Sequence, residues 1–281
     1  MEKKVTIADL LAAKRQSRKI TAVSCYDYTT AKLVSQTAVQ MILVGDSAAQ
    51  AVLGFDSTLP ATMDFMVAIT AAVRRGAPNV YLVADMPFLS YQLGISEAVK
   101  NAGRFVVEAG AQMIKIEVNS AYLDVIKAVS DANMAVMAHI GIRPQCISKL
   151  GKLKAEGTTA EMAAELVSLA EQMINAGAGA LLIEGAAEEV AEIITKRSEV
   201  PVISCGAGPG CDGQILIAPD ILGLGQGPGP KFAKSYGNAA EATIEAFKRY
   251  AKEVESGEFP DDEHSYHMKK GELERLKELL K

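Results

Sequence analysis

Ionisable residues stand at the ends of several short apolar runs in this 281-residue chain. Asp46 directly follows one such run, and Asp85 follows another. If the runs are parallel strands of a barrel, their carboxyl ends meet on one face, where barrel enzymes hold their active sites. Further residues occupy comparable positions after or within other runs: Lys115, Glu117, His139, Glu184 and Asp212. We therefore expect five or six ionisable groups to point into one bowl.

Each of these residues, taken alone, is also typical of the start of a helix, where an acidic side chain caps the backbone. This applies most to Asp212, which precedes Gly213 and is as typical of a turn as of a catalytic site. Several carboxylates buried together are costly, however, unless they are paired or bind a metal ion. The group as a whole therefore favours a catalytic interpretation.

A metal ion at this face would have to bind oxygen ligands. The four cysteines contain no Cys-x-x-Cys pair, and the three histidines are too scattered for a three-histidine zinc site. Carboxylates favour a hard cation, most simply Mg²⁺, whose remaining positions are taken by water and substrate. Such a cation commonly polarises a carbonyl group and stabilises an enolate.

Three residues of the set have roles that their chemistry suggests. Lys115 alternates with Glu117 along one run, so it would face the same bowl and bind a substrate carboxylate. Glu184 lies on another run and would be the proton-transfer base if burial raises its pKa. His139 either supports the site or contacts substrate, or it is a buried histidine with satisfied hydrogen bonds. The residues alone predict a metal-assisted enzyme that works α to the carbonyl of a small acid.

Eight short β-rich runs position these residues, at intervals that leave room for a helix. They lack strict polar alternation, as expected for parallel strands that are buried on both faces. The runs are Thr21–Tyr26, Met41–Gly45, Val80–Ala84, Met113–Val118, Ala135–Ile140, Ala180–Ile183, Val200–Ser204 and Gln214–Ala218. Helical patterns lie between them, roughly at 30–37, 62–75, 96–109, 120–132, 159–176 and 186–197.

This order predicts an α/β fold, a (β/α)8 TIM barrel that forms a single domain over residues 1–281. We expect an N-terminal helix in residues 1–20, around Ile7–Lys14, and a C-terminal helical extension over 239–281 that breaks near Gly257–Pro260. A capping box at Thr158 and Glu161 and glycines at 110 and 177 mark helix ends. A doubly wound open sheet is the alternative, although the first strand–helix turn lacks a Gly-x-Gly-x-x-Gly fingerprint.

Composition argues against several other classes of protein. The net charge of −5 comes from interspersed acids and bases, and aromatic residues make up only 5% of the chain, without Trp. Both features argue against a nucleic-acid partner. No charge-free stretch reaches the roughly 18 residues that suggest a membrane span, and no apolar signal core follows the N-terminus. We therefore expect a cytoplasmic protein without a membrane partner.

Longer motifs extend from Cys25-Tyr26-Asp27-Tyr28 to Glu263-His264-Ser265-Tyr266. The most specific are Val44-Gly45-Asp46-Ser47, Asp56-Ser57-Thr58-Leu59-Pro60, Ala84-Asp85-Met86-Pro87-Phe88, His139-Ile140-Gly141, Gly206-Ala207-Gly208-Pro209, Cys211-Asp212-Gly213-Gln214 and Pro230-Lys231-Phe232-Ala233-Lys234. In their order and spacing the sequence resembles the ketopantoate hydroxymethyltransferase family. The resemblance implies a (β/α)8 barrel of the phosphoenolpyruvate mutase and isocitrate lyase superfamily and a homo-oligomer, commonly a decamer.

The resemblance also implies a reaction and a site. A one-carbon unit passes from 5,10-methylenetetrahydrofolate, a consumed co-substrate, to 3-methyl-2-oxobutanoate through a Mg-stabilised enolate, which gives 2-dehydropantoate for pantothenate biosynthesis. The implied Mg²⁺ ligands are Asp46, Asp85 and Glu117. The implied contacts of the 2-oxo acid are Asp46, Ser47, Asp85 and Lys115, and the implied catalytic base is Glu184.

The chain departs from the usual family pattern in several loops around these groups. Differences occur at Ala48-Ala49-Gln50, Phe55, Val118-Asn119, Arg143, Lys149–Gly157 and Gly185. Because they surround the implied metal and acid groups, they bear on the donor site and on side-chain specificity. Two alternatives follow: a divergent Mg-dependent lyase or aldolase that acts on another 2-oxo acid by the same enolate chemistry, and a non-catalytic barrel retained for binding or assembly.

Overall fold

The structure is a computed structural model that describes residues 4–225 and 229–281. Its centre is a closed barrel of parallel strands that pair in chain order, with the last strand paired to the first. The strands are β1 (Ile20–Ser24), β2 (Met41–Val44), β3 (Tyr81–Asp85), β4 (Met113–Glu117), β5 (Val136–Gly141), β6 (Ala180–Glu184), β7 (Val202–Cys205) and β8 (Gly213–Ile217). Closure confirms the predicted (β/α)8 barrel, and the open-sheet alternative is wrong.

Helices precede, separate and follow the strands. They are α1 (Ile7–Arg15), α2 (Tyr28–Val34), α3 (Ala48–Ala51), α4 (Met63–Gly76), α5 (Ile95–Val107), α6 (Leu123–Asp131), α7 (Ile147–Leu150), α8 (Ala160–Asn175), α9 (Glu188–Arg197), α10 (Ala218–Leu222), α11 (Ala239–Ser256) and α12 (Glu272–Leu279). Short 3₁₀ turns precede α6 and α7, at Ser120–Tyr122 and Pro144–Cys146. No helix in the described part of the chain is long and apolar enough to cross a bilayer.

Local signals explain several of the helix ends. Gly110 and Gly177 adopt positive φ angles of +70° and +109° where α5 and α8 end, as predicted, because a left-handed residue there satisfies the last carbonyl groups. The predicted cap at Thr158 is wrong by one residue. Thr159 caps α8, and its Oγ1 accepts a hydrogen bond of 3.3 Å from the backbone N–H of Met162.

Apolar side chains pack in two layers, one on the outer face and one on the inner face of the barrel strands. Alternate residues point outward against the helices, such as Ile42 and Ile114, or inward to the barrel axis, such as Met41 and Met113. The inner layer also receives Leu10 of α1, so the lead-in helix packs onto the interior of the barrel. Both layers fit a barrel whose interior is a packed core rather than a pore.

Contacts group the chain into two compact units. The first comprises the chain up to Ile221 together with Gly229–Lys234, and it contains the whole barrel. Among the described residues, the second comprises 222–225 and Ser235–Lys281, with α11 and α12. Within it, Gly257 ends α11 with a left-handed conformation, close to the predicted break. The single-domain organisation over 1–281 stays a prediction.

Candidate active site

One cavity at the carboxyl ends of the strands brings together the residues that the sequence singles out. Its lining includes Asp46, Ser47, Asp85, Lys115, Glu117, His139 and Glu184. Its volume of about 220 Å³ lies below the roughly 300–1,000 Å³ that is usual for sites of drug-sized ligands. The cavity therefore suits a small ligand.

Strand alternation and register explain why these side chains meet. Along β4, Met113, Lys115 and Glu117 share the inward face, so the strand changes from apolar to charged toward its carboxyl end. Parallel pairing sets Lys115 beside Asp85 of β3 and Glu117 beside His139 of β5. The barrel thus places charged groups from neighbouring strands side by side.

The strongest contact in the cavity joins Lys115 to Asp85. The Nζ atom of Lys115 donates to both carboxylate oxygens of Asp85 at 2.7 Å, and both side chains are almost fully buried. The backbone N–H of Asp46 donates to Oδ2 of Asp85 at 3.1 Å. Burial opposes the charge of Lys115, but attraction to the surrounding carboxylates outweighs it and raises the pKa of Lys115. Lys115 is therefore the fixed positive charge of the site.

Glu117 and Asp46 are tied to a loop that follows β5. The backbone N–H of Gln145 donates to Oε2 of Glu117 at 3.1 Å, and its side-chain Nε2 donates to Oδ2 of Asp46 at 2.9 Å. Oε1 of Glu117 is buried and has no hydrogen-bond partner among the described residues. Burial, reinforced by repulsion from Asp46 and Asp85, raises the pKa of Glu117 well above its usual range, against the attraction of Lys115. This carboxyl group therefore favours the arrival of a further cation.

His139 lies between two carboxylates. Its Nδ1 is 3.8 Å from Oε1 of Glu117, and its Nε2 is 3.4 Å from Oε2 of Glu184, without a hydrogen bond to either. Burial and the positive charges of Lys115 and Arg143 lower the pKa of His139 well below its usual value, so the ring is neutral near pH 7. The expectation that it is a core histidine with satisfied hydrogen bonds does not fit this geometry.

Glu184 ends β6, with its side chain 22% exposed to the cavity. Burial, with repulsion from Asp46, raises its pKa to about 7 against the attraction of Lys115. Gly141 has a positive φ of +88°, and any Cβ there would collide with the backbone oxygen of Glu184. A carboxyl group with a pKa near 7 suits proton transfer at neutral pH.

Several residues of the site were missed in the sequence. Tyr26 shares a 2.8 Å hydrogen bond with Ser47, and Thr58 lines the cavity with a buried hydroxyl oxygen that has no partner among the described residues. Both lie within the family motifs, which gave no role for either. Gln145, Tyr91, Cys205, Asp220 and Phe232 complete the missed set. Of these residues, Gln145 has the clearest sequence signal for a site residue, because it is a polar side chain in the short turn after β5.

Asp212 does not belong to the site. The loop 206–212 returns the chain from the carboxyl end of β7 to the start of β8, whose Gly213 pairs with Ile203. Asp212 there forms a 2.7 Å ion pair with Lys14 and accepts a 2.9 Å hydrogen bond from the backbone N–H of Val202. Its role is structural, at the opposite end of the barrel, so the catalytic interpretation of this residue is wrong.

The chemistry of the side chains fits a hard cation. Asp46, Asp85 and Glu117 offer buried carboxylates, and Oε1 of Glu117 is free of hydrogen bonds within the described residues. Across residues 4–225 and 229–281, however, no three His, Cys, Asp or Glu side chains already converge on one metal position. Lys115 contacts both oxygens of Asp85. The donor set is therefore present, with Asp85 engaged by Lys115.

A second cavity of about 350 Å³ adjoins the first and shares Glu117 as a wall. Its lining includes the cationic side chains of Arg143 and Lys149 and the aromatic rings of Phe88 and Tyr122. No described carboxylate pairs with Arg143 or Lys149. This cavity suits a larger ligand that carries both an aromatic ring and negative charge.

A closed parallel barrel with a cavity of ionisable side chains at the carboxyl ends of its strands has the arrangement of a (β/α)8 enzyme. The family model described as ketopantoate hydroxymethyltransferase matches residues 4–262. The chain belongs to this family of transferase enzymes, and the resemblance noted in the sequence is confirmed.

Curated relatives match along nearly the whole chain. A 3-methyl-2-oxobutanoate hydroxymethyltransferase of Clostridium novyi (strain NT) is 42% identical, over 97% of this chain and 99% of the relative. The enzyme of the same name from Geobacter metallireducens (strain ATCC 53774 / DSM 7210 / GS-15) is 44% identical, over 95% of this chain and 100% of the relative. Such identity over full length exceeds what a shared fold alone requires.

Solved structures share the fold at lower identity. A phosphonopyruvate hydrolase in complex with oxalate and Mg²⁺ has a TM-score of 0.60 and 17% identity, over 98% of this chain and 96% of that one. A 2,3-dimethylmalate lyase, described as a member of the PEP mutase/isocitrate lyase superfamily, has a TM-score of 0.60 and 16% identity, over 93% and 92% of the two chains. These likenesses support the fold.

Proposed function

We propose that this enzyme adds a one-carbon unit to 3-methyl-2-oxobutanoate and so forms 2-dehydropantoate for pantothenate biosynthesis, as the names of its relatives state for them. The observation that carries the proposal is that one small cavity holds both a base and a fixed positive charge. Glu184, whose pKa is raised to about 7, shares that cavity with the buried Lys115–Asp85 pair. A base and a fixed positive charge are what removal of a proton α to a carbonyl requires.

The side chains divide the work on the 2-oxo acid. Lys115 attracts the substrate carboxylate, and the hydroxyl group of Ser47 donates a hydrogen bond to the acid. Asp46 and Asp85 would contact the 2-oxo end through the divalent cation that they hold. Glu184 accepts the proton from C3, and the electron pair of that C–H bond moves toward the 2-oxo oxygen. The neutral ring of His139, 3.4 Å from Glu184, limits the directions in which this carboxylate can turn.

A divalent cation, most simply Mg²⁺, completes the proposed site, with Asp46, Asp85 and Glu117 as its protein ligands. When bound, it supplies charge that polarises the 2-oxo group and stabilises the enolate. The solved phosphonopyruvate hydrolase contains Mg²⁺ and oxalate, a small anion. Oε1 of Glu117, which has no hydrogen-bond partner among the described residues, is available to contact such a cation.

The proposed donor is 5,10-methylenetetrahydrofolate, and we assign it to the second cavity. Its aromatic head matches Phe88 and Tyr122, and its acidic tail matches Arg143 and Lys149. C3 forms a bond to the methylene carbon of the donor, whose two C–N bonds break. One water molecule supplies the hydroxyl group. The two nitrogens take up the proton removed from C3 and the remaining proton of the water, and tetrahydrofolate leaves. Folate is therefore consumed rather than retained.

The test is a product assay with the purified protein, Mg²⁺, both substrates and detection of 2-dehydropantoate by mass spectrometry. We expect product that requires all components. Absence of product from folded, Mg²⁺-loaded protein would overturn the proposal. We also propose a cytoplasmic location and a homo-oligomer. Sedimentation of the same sample measures the number of subunits.

A second candidate is a lyase or aldolase for another 2-oxo acid, because Val118 and Arg143 alter the surroundings of the two cavities. Val118 is fully buried next to Glu117, and Arg143 lines the second cavity. A panel of 2-oxo acids, assayed for cleavage and for proton exchange at C3, separates the two. The second candidate gains support only if another acid is turned over faster than 3-methyl-2-oxobutanoate.

A further inference from the structure

Gln145 joins two of the proposed cation ligands to a buried tyrosine. It is 4% exposed and lies in the short turn after β5. Its backbone N–H donates to Glu117, whereas its side-chain Nε2 donates to Oδ2 of Asp46 at 2.9 Å and to the backbone oxygen of Met86 at 2.9 Å. Gln145 therefore contacts two proposed cation ligands, Asp46 just after β2 and Glu117 at the end of β4.

The orientation of the Gln145 amide is determined by its neighbours. The hydroxyl group of Tyr91 lies 2.7 Å from Oε1 of Gln145 and donates to it. Both partners of Nε2 are oxygen acceptors, a carboxylate and a backbone carbonyl, so the flipped amide would place oxygen against oxygen. The observed orientation is the one in which every polar atom of the side chain is used.

Tyr91 itself is held in place by packing. It is 2% exposed, its ring meets Tyr122 edge to face at 5.3 Å between centroids, and its hydroxyl oxygen lies 3.0 Å from the backbone oxygen of Glu117. Hydrogen bonds in such a dry environment fix orientation strongly, because a misaligned group has no water to turn to. Tyr91 thus has the means to hold the amide in one position.

We propose that Gln145 is a positioning residue, oriented by Tyr91, that holds the carboxylate of Asp46 ready for the divalent cation. The consequence for the reaction rests on the proposed function, whereas the consequence for cation binding rests only on the proposed cation site. The backbone N–H of Gln145 keeps Glu117 in place whatever the side chain is. Of the proposed cation ligands, substitution of the side chain therefore releases only Asp46.

Three variants test this assignment through Mn²⁺ binding, measured by electron paramagnetic resonance of the full-length protein. Gln145→Leu removes the amide at similar size, and we expect about 10-fold to 100-fold weaker binding, as for other partners of metal ligands. Tyr91→Phe removes only the hydroxyl group and should weaken binding about fivefold, the usual worth of one hydrogen bond. The double variant should match Gln145→Leu, because Tyr91 acts through the amide.

A matched control is Tyr81→Phe, a buried tyrosine in the apolar inner layer whose hydroxyl group bonds to the backbone of Gln112 at 3.4 Å. It should leave Mn²⁺ affinity unchanged. Unchanged affinity in Tyr91→Phe and Gln145→Leu would overturn the proposal, as would additive effects in the double variant. If Gln145→Leu does not fold, the comparison of Tyr91→Phe with Tyr81→Phe decides. No Mn²⁺ binding by the parent would also overturn it.

The two proposals fail in different ways. If the parent binds Mn²⁺ and the variants bind it more weakly, the positioning role stands even when no 2-dehydropantoate is made. If product forms but Mn²⁺ affinity is the same in every variant, the proposed function stands and the positioning role is wrong. In the expected case, Gln145→Leu also lowers turnover, and raising the Mn²⁺ concentration restores most of it.

Discussion

The two ends of the barrel interior carry opposite kinds of side chain on the same strands. Along β4, Met113 lies in the apolar inner layer, whereas Lys115 and Glu117 line the charged cavity. Near the amino ends, Lys14 and Asp212 form an ion pair at 2.7 Å. At the carboxyl ends, Lys115 is the one Lys or Arg among the described residues that line the cavity. It faces five carboxyl groups, those of Asp46, Asp85, Glu117, Glu184 and Asp220.

The difference shows where the fold is stabilised and where it does chemistry. Buried apolar side chains at one end contribute stability roughly in proportion to their buried area. Buried carboxylates in excess of their partners cost stability, and burial raises their pKa values. The stable end therefore makes it possible to hold reactive groups at the other end. Substitutions at the two ends should accordingly change different properties.

The largest expected effect is the loss of turnover in Glu184→Gln. The amide is nearly the same size but accepts no proton, so we expect turnover to fall about 10²-fold to 10⁴-fold, the usual contribution of a general base. Substrate KM should change little. Steady-state kinetics measure both, with Glu189→Gln on the exposed face of α9 as the control. Equal turnover in Glu184→Gln and parent would remove Glu184 as the base.

The next effect belongs to the apolar end. Met113 is fully buried, so Met113→Ala should lower the free energy of unfolding by about 2–5 kcal/mol through lost burial and a cavity. Turnover per folded molecule at low temperature should be nearly unchanged. Denaturant unfolding measures the first quantity, and the exposed Met268→Ala is the control. A loss of turnover as large as that of Glu184→Gln, in folded protein, would contradict the division between the two ends.

A smaller effect concerns the dependence of stability on pH. The pKa of Glu184 is raised to about 7 from 4.5, so between these pH values the folded protein binds the proton more tightly than the unfolded chain. Stability is therefore lost as pH rises through this window. In metal-free protein at pH 8, the free energy of unfolding of Glu184→Gln should exceed that of the parent by up to about 3 kcal/mol.

At pH 4, by contrast, Glu184→Gln and parent should be nearly equal in stability, because the carboxyl group is protonated in both states. Titrating groups away from the cavity are common to the two proteins and cancel in the comparison. The same difference in stability at pH 4 and pH 8 would show that the pKa of Glu184 is not raised in the folded protein.

The smallest predicted effect tests the second cavity. Arg143→Thr removes a cation that faces it, so the KM for the folate donor should rise about fivefold, as for one partly exposed ion pair. The KM for the 2-oxo acid should stay the same. The control is Lys152→Ala, an exposed residue of the neighbouring loop that does not line the cavity. A parallel rise in both KM values would place Arg143 with the acid instead.

The fold and most of the site follow from local patterns in the sequence. Buried runs of β-rich residues predict the strands, and alternation alone places Lys115 and Glu117 on the same face as Met113. Asp212 misleads because a short loop, whose path no local pattern reveals, carries it back to the other end of the barrel. Gln145 is missed because its partners Asp46 and Tyr91 are distant in sequence, so only the folded chain shows the contact.

The most direct test of the central claim is proton exchange at C3 of 3-methyl-2-oxobutanoate in D₂O, with Mg²⁺ and without folate. This exchange measures removal of the C3 proton separately from transfer of the one-carbon unit. We predict that the parent exchanges the C3 proton for deuterium and that Glu184→Gln exchanges it at least about 10²-fold more slowly. No exchange by folded parent protein, or equal exchange by both proteins, would contradict the account.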